Sequence, residues 1–445
     1  MSKTINFFNT ASRAVEEFKP VKPGVAGIYS CGPTVYDRAH IGNLRAYVFV
    51  DLLYRFLRAK GYEVKWVMNI TDIDDKTLQR ASDEGKTLAE ITGKYTKIFV
   101  GDLKALNVSV ADIKFIKATE HFQEMRALVN NLLEKGYAYE ASDGVYFDIS
   151  KFKDYGRFAE VSPDSSTSKE RIKNDNYDKE NVRDFVLWKL DKRYPQGRPG
   201  WHIECSAMST RYLGQPFDIH TGGVDLIFPH HQNEIAQTKA ATGKELARYW
   251  LHNEHLLVNG EKMAKSKNNF YTLQEVEKRG FSALALRLEL MKAHYRSKLD
   301  FSWQSLKGSA TLLSNLRRFY TLSALSVQKS HSPNTQAGEK HFQEFLSALS
   351  NDLNMPEALT VVQKVVGNEE NLGEWAMKFL EKVDAVLGLN IAVAVPPEIN
   401  KMLKDMDSAR SSGDYNRSDE IRKELMQKGY IAENTSFGSI ALPKA

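Results

Sequence analysis

Cysteine is nearly absent from this chain: Cys31 and Cys205 are the two in 445 residues. They could close one disulfide at most, which excludes a disulfide-built scaffold and leaves reduced thiols as the expectation. Long apolar runs are missing too. No stretch approaches the roughly 18 residues of a membrane span, and the N-terminus MSKTINFFNTASR lacks the apolar core of a signal peptide. A soluble, cytoplasmic protein with no membrane partner is therefore expected. Neither G-x-x-x-x-G-K-[ST] nor G-x-G-x-x-G occurs, so a nucleotide, if bound, is held in another way. Short Cys-x-x-Cys pairs and internal repeats are absent as well. The excess of one charge sign is small: a net +5 permits a polyanionic partner without demanding one.

What is present is an ordinary globular composition, 42% hydrophobic and 26% charged, over a length that suits about three domains. AGIYS (26–30) reads as a buried strand running into the turn Cys31-Gly32-Pro33. His-Ile-Gly-Asn (40–43) then heads a helix in which Leu44, Tyr47, Val48, Leu52, Phe56 and Ala59 recur near a helical period, with Gly61 at its stop. VKWVMNI (64–70) reads as a second strand. Strand, turn, helix, strand opens a parallel α/β sheet whose ligand sits where strand ends meet helix starts. Residues 110–199 change to short helical and strand segments and close in a polar loop, SPDSSTSKERIKNDNYDKENVRD. Sheet-like signals return at FDIHTGGVDLIF (217–228). Beyond about 305 the pattern is helical, broken at 326–339 and by the linker VAVPPE (393–398), after which two short amphipathic helices follow.

Chemistry-bearing residues collect in three places. In RPGWHIECSAM (198–208) stands the second cysteine, and if PHHQNE opens a helix after Pro229, His230 and Glu234 share a face at i and i+4. Two thiolates, an imidazole and a carboxylate make a four-ligand set for zinc. On spacing alone the plainer reading is stronger, since isolated cysteines are usually small buried hydrophobes and helix-start histidines usually caps. The cations of KMAKS (262–266) can clamp a polyphosphate, although such a run alone is more often a solvated loop. His40 and Asn43 at a helix N-terminus make a better phosphate site, because free N–H groups and the helix dipole point there.

Together these motifs resemble the class I aminoacyl-tRNA synthetases, whose HIGH and KMSKS signatures appear as His40-Ile41-Gly42-Asn43 and Lys262-Met263-Ala264-Lys265-Ser266. YSCGPTVYDRAHIGN, NITDIDDK, DFVLWK, RPGWHIECSAM, GGVDLIFPHHQNEIAQ, HYRSKLDFS and NDLNMPEAL resemble, in that order, the cysteinyl-tRNA synthetase family. The resemblance implies an α/β class I Rossmann-type catalytic domain with a parallel sheet, split by an insertion and followed by an all-α helical bundle and a small anticodon-binding domain. Its implied divisions are 1–112, first half of the catalytic domain; 113–199, connective insertion; 200–250, second half; 251–305, KMSKS loop and stem-contact region; 306–392, helical bundle; and 396–445, anticodon-binding domain.

The activity so implied is ATP-dependent activation of L-cysteine to cysteinyl-adenylate and transfer to the 3′ end of tRNA(Cys). The resemblance assigns one zinc per chain to Cys31, Cys205, His230 and Glu234, where it binds the substrate thiol directly. Serine, with a poorly acidic hydroxyl, is then a far worse ligand, and a site built on one strong contact rejects an analogue lacking it by roughly 10⁴ or more. No editing domain is expected. Gly32, Thr71 and Trp201 match the amino-acid pocket. His40, Asn43, Gly222, Gly223, Asp225, Lys265 and Ser266 match the ATP site, with His40, Asn43, Lys262 and Lys265 acting on the phosphates. Mg²⁺ accompanies ATP, and a monomer is expected.

Asn43 replaces the last His of HIGH, which keeps a hydrogen-bond donor but cannot carry a proton's charge. Ala264 replaces the first Ser of KMSKS, and the ending FGSIALPKA lacks the aromatic and basic terminus of many family members. Two other readings stay open on this basis. One is a zinc-dependent ligase that passes cysteine to a sugar amine; the other is a silent paralogue that only binds RNA.

Overall fold

The computed structural model describes residues 4–160, 184–191, 194–263, 269–329, 335–392 and 395–444. It opens with a hairpin, β1 (Asn6–Asn9) and β2 (Ala14–Glu17). β3 (Val25–Ser30) follows, buried from Ala26 onward as its β-branched and aromatic run requires. Helix Ile41–Ala59 comes next. It buries Leu44, Tyr47, Val48, Leu52 and Phe56, leaves Ala59 exposed, and ends before Gly61, whose φ of +90° only glycine adopts freely. β4 (Glu63–Ile70) and β5 (Ile113–Lys117) continue the sheet, joined by helices Asp75–Glu84 and Leu88–Ala105.

An antiparallel sheet of β6 (Ala138–Ala141), β7 (Gly144–Phe147), β8 (Phe185–Asp191) and β9 (Tyr194–Pro199) interrupts the fold. Helix Trp201–Leu213 then leads back into β10 (Phe217–Gly223), helix Gln232–Thr242 and β11 (Ala247–Asn253). The central sheet runs β11-β10-β3-β4-β5 with every pairing parallel. Strand order reverses between β3 and β10, and a ligand crevice opens at the carboxyl ends of strands at such a point. Because β5 pairs with β4, the sheet reaches five residues past the boundary set at 112. The strand expected to run on to Phe228 stops at Gly223; a tight turn and the wide turn Ile227–His231 take over.

A small sheet of β12 (Leu256–Val258), β13 (Glu261–Lys262) and β14 (Leu299–Phe301) carries the approach to KMAKS. Helices Ala283–Met291, Trp303–Lys329, Thr335–Leu349, Met355–Val366 and Glu374–Leu387 form the helical region. Its core is continuous with that of the parallel sheet, from Ile28 through Leu53 and Leu286 to Leu389. Arg287 pins the junction: fully buried, it donates to Asp51 on helix Ile41–Ala59 and to the carbonyls of Leu106 and Leu387. A second core covers the other sheet face and the insertion.

The chain ends in helices Pro397–Ser411 and Tyr415–Gln427 around a cluster of their own that includes Ile421 and Leu425. The tail FGSIALP, given no structure from its composition, forms β16 (Gly438–Pro443) against β15 (Tyr430–Thr435). Among the described residues no helix is long and apolar enough to cross a membrane.

Candidate active site and metal cluster

Three strand ends meet at the crevice. The chain leaves β3 at Ser30, and the next amide, Cys31 N, donates to Thr221 O of β10 at 3.4 Å. Gly32 N donates to the Asn69 side chain of β4 at 2.8 Å. A Cβ on Gly32 would overlap the Asn69 carbonyl oxygen, so the turn closes this tightly only because the residue is glycine. Helix Trp201–Leu213 then presents Cys205 from below, and the turn before helix Gln232–Thr242 presents His230 one helical turn ahead of Glu234.

The four expected ligands converge, with one donor atom from each within 4.8 Å of the others. Cys31 Sγ lies 3.9 Å from Cys205 Sγ, and His230 Nε2 lies 3.1 Å from Glu234 Oε1. Cys31 is half-buried and the other three are buried. Glu234 is wholly buried: its Oε1 faces His230 Nε2 alone at close range, while Oε2 takes a 2.9 Å bond from His220 Nε2. Burial and the neighbouring Cys31 push the Cys205 thiol well up. Burial also opposes a charged His230, but Cys205 and Glu234 outweigh it and raise its pKa; burial opposes ionised Glu234, and His220 and His230 outweigh that. Two thiols, an imidazole and a carboxylate gathered in one buried spot are a soft donor set that fits zinc.

A second set, Cys31, His220, His231 and Glu234, overlaps the first. It offers one thiolate instead of two, which makes it the poorer zinc site. Its histidines do different work. His231 Nδ1 is bonded to His252 Nε2 at 2.7 Å, and His252 in turn to Thr10 at 2.8 Å. On the other side His202 holds His230 Nδ1 at 2.8 Å, so the ring plane of His230 is set by a partner behind it and its Nε2 is left facing the cluster. Sequence reading missed His202, His220, His231 and His252. All are buried, and the available signal was their number in a chain of 11 histidines.

A cleft of about 520 Å³ extends from this cluster to the head of helix Ile41–Ala59. His40 and Asn43 cap that helix reciprocally: Asn43 N donates to His40 Nδ1 at 3.2 Å, and His40 N donates to Asn43 Oδ1 at 3.3 Å. With Nδ1 accepting, Nε2 carries the proton. Burial lowers the His40 pKa to about 4 against the opposing pull of Asp225, so the ring is a neutral donor at neutral pH. Gly222, Gly223, Asp225 and Lys262 line the same cleft. Met263 reaches the helix head, where a Cβ on Gly42 would come within 2.7 Å of its Cε, and Phe270 meets the His40 ring edge-on at 5.0 Å. The two signature segments are thus in contact. Lys265 and Ser266, with Ala264, lie outside the described residues.

Trp201 stands at the cleft mouth, 40% exposed, its ring 4.3 Å from that of His230. Thr71 lies behind the wall: its hydroxyl donates to buried Glu204 at 2.7 Å, and the side chain does not line the cleft.

Comparison with known proteins follows the same lines. A family model described as the tRNA synthetases class I (C) catalytic domain matches residues 17–311. A cysteine–tRNA ligase of Brachyspira hyodysenteriae is 40% identical over 468 residues, covering 98% of each chain. One from Thermococcus gammatolerans is 40% identical over 474 residues with the same coverage. Among solved structures, the methionyl-tRNA synthetase of Mycobacterium tuberculosis bound by methionyl-adenylate matches with a TM-score of 0.60 at 16% identity, over 88% of this chain and 96% of that one. At that identity the likeness is one of fold.

Proposed function

The chain belongs to the cysteine–tRNA ligase family of class I tRNA synthetases, and from that premise we propose which of its residues carry each part of the reaction. The reaction is aminoacylation. The cysteine carboxylate attacks the α-phosphate of ATP, pyrophosphate leaves, and a hydroxyl of the terminal tRNA adenosine then takes the acyl group as AMP departs. No enzyme nucleophile is needed, so the protein's contribution is placement and charge.

Cys31, Cys205, His230 and Glu234 hold one zinc at the base of the cleft. When bound, it supplies a Lewis-acid contact for the substrate thiol. The observation that carries this reading is the buried four-donor cluster at the far end of the cleft from the HIGN helix. Trp201 and Gly32 wall the amino-acid end. His40, through Nε2–H, and Asn43 donate to the phosphates of ATP, which arrives with Mg²⁺. Lys262, with Lys265 and Ser266 beyond it, adds positive charge as pyrophosphate leaves, and Gly222, Gly223 and Asp225 hold the ribose.

Residues 306–392 and 396–445 meet the body and anticodon of tRNA(Cys); the separate C-terminal cluster, with Tyr415, Met426 and Ile431 exposed, suits such a surface. A monomer working in the cytoplasm, where tRNA is charged for translation, completes this reading.

The test is ATP–pyrophosphate exchange with cysteine and with serine, alongside zinc content. Exchange with cysteine alone at about one zinc per chain is expected. Cys205→Ser should lower zinc content and raise the KM for cysteine; full activity in that variant without metal would overturn the ligand assignment.

A further inference from the structure

Not every residue that lines the cleft has a part in holding the adenylate. Cys31 and Trp201 mark its thiol end, and His40, Asn43 and Gly222 its nucleotide end, yet one lobe belongs to neither: Tyr36, Arg38, Lys76 and Phe99. Tyr36 stands on the loop that runs from Cys31 to His40. It lines the cleft together with both ends of that loop.

Lys76, in the first turn of helix Asp75–Glu84, is exposed, and its Nζ rests 5.4 Å from the centre of the Tyr36 ring. Among the described residues no carboxylate pairs with it. Its acidic neighbours are engaged elsewhere: Asp74 caps the helix, and Asp75 binds Arg198 of β9 at 2.5 Å and Lys189 of β8 at 3.6 Å. Those two bonds tie the insertion to the parallel sheet, so Lys76 sits at the joint between them, beside the cleft. Behind it Phe99 is buried against Tyr47 with ring centres 4.9 Å apart, which gives the lobe a firm floor.

We propose that this lobe receives the 3′-terminal adenosine of the tRNA, with the base stacked on Tyr36 and the last phosphodiester at Lys76 and Arg38. The inference rests on the cysteine–tRNA ligase reading of the same cleft and adds the place of the second substrate. A ring face that accepts any base, next to a lysine that no carboxylate pairs among the described residues, is the combination a single-stranded nucleotide end requires. The Lys76–Tyr36 contact of the free protein is what the nucleotide replaces, its base taking the ring and its phosphate taking the ammonium.

The experiment uses the full chain carrying Tyr36→Leu, Tyr36→Phe or Lys76→Ala. It measures pyrophosphate exchange without tRNA, single-turnover transfer from preformed cysteinyl-adenylate, and binding of tRNA(Cys) transcripts with and without the terminal adenosine. Tyr36→Leu should slow transfer by about tenfold or more, as loss of one base–aromatic stack does, while exchange changes less than twofold. Tyr36→Phe keeps the ring and should keep transfer. Both Tyr36→Leu and Lys76→Ala should shrink the preference for the complete 3′ end.

Equal loss of exchange and transfer would assign these side chains to ATP and overturn the proposal. Unchanged transfer, or affinity lost equally for the truncated transcript, would overturn it too. Absence of cysteine-dependent exchange in the unmodified protein would instead strike the ligase reading itself.

Discussion

Removing Arg287 tests whether the catalytic helix is pinned to the helical region by one buried charge. Its guanidinium, wholly buried, donates to Asp51 at 2.5 Å, to the carbonyls of Leu387 and Leu106 at 2.7 and 3.0 Å, and to Asn107 O at 3.3 Å. Arg287→Met leaves those carbonyls without this donor and deprives a fully buried carboxylate of one partner. Breaking a buried ion pair in this way costs about 3–5 kcal/mol. Asp51 keeps Arg55 at 2.8 Å and Ser109 N at 2.8 Å, which places the expectation near the lower figure, about 3 kcal/mol.

Adding Asp51→Leu removes the stranded charge as well. The double variant should therefore be more stable than the sum of the two single losses by about 2 kcal/mol. Urea denaturation followed by far-UV circular dichroism and tryptophan fluorescence reads all three variants. Burial pushes the Asp51 carboxyl up, but Arg287 and Arg55 outweigh it and hold it below its ordinary value. Its contribution is thus complete above the ordinary carboxylate pKa and is lost as pH falls through the depressed one, so Arg287→Met should flatten acid sensitivity in that window. A loss under about 1 kcal/mol, or strict additivity in the double variant, would refute the reasoning.

His40, lowered to about 4 by burial, should leave kcat/KM for ATP flat between about pH 6 and 8, with a fall only as pH drops toward 4; an inflexion near 6.5 that disappears in His40→Gln would contradict this. Asn43→Asp keeps the oxygen that caps the His40 amide but turns a donor into a negative charge in the cleft, where we propose the phosphates of ATP to lie. The KM for ATP should rise about tenfold or more while the melting temperature barely moves, and a matching loss of stability would show that the cap was the main role. Deleting residues 396–445, which carry their own hydrophobic cluster, should weaken charging of tRNA and spare pyrophosphate exchange. Equal loss of both in a folded protein would remove the tRNA role from this segment.

Local pattern carried a large part of this protein. The β-branched runs at 25–30 and 63–70, the period of the helix between them and the stop at Gly61 were all legible, because strand and helix leave their periods directly in the chain. Wording singled out the four residues that cluster as a candidate metal site, which spacing alone did not favour. His230 and Glu234 lie four apart, but Cys31 and Cys205 are 174 residues apart and nothing local joins them.

Their meeting depends on the tertiary structure. The parallel register of β3 on β10, Ile28↔Ile219 through Ser30↔Thr221, sets Cys31 against the end of the strand that precedes His230. The pairing of β10 with β11, Gly222↔His252, brings His252 to His231, and His220 on β10 reaches Glu234, so each finds a partner that its sequence neighbours do not supply. β5 and the β15–β16 hairpin were missed for a related reason: short strands are stabilised by the partner they pair with, and that partner is chosen by the fold rather than by the five or six residues of the strand.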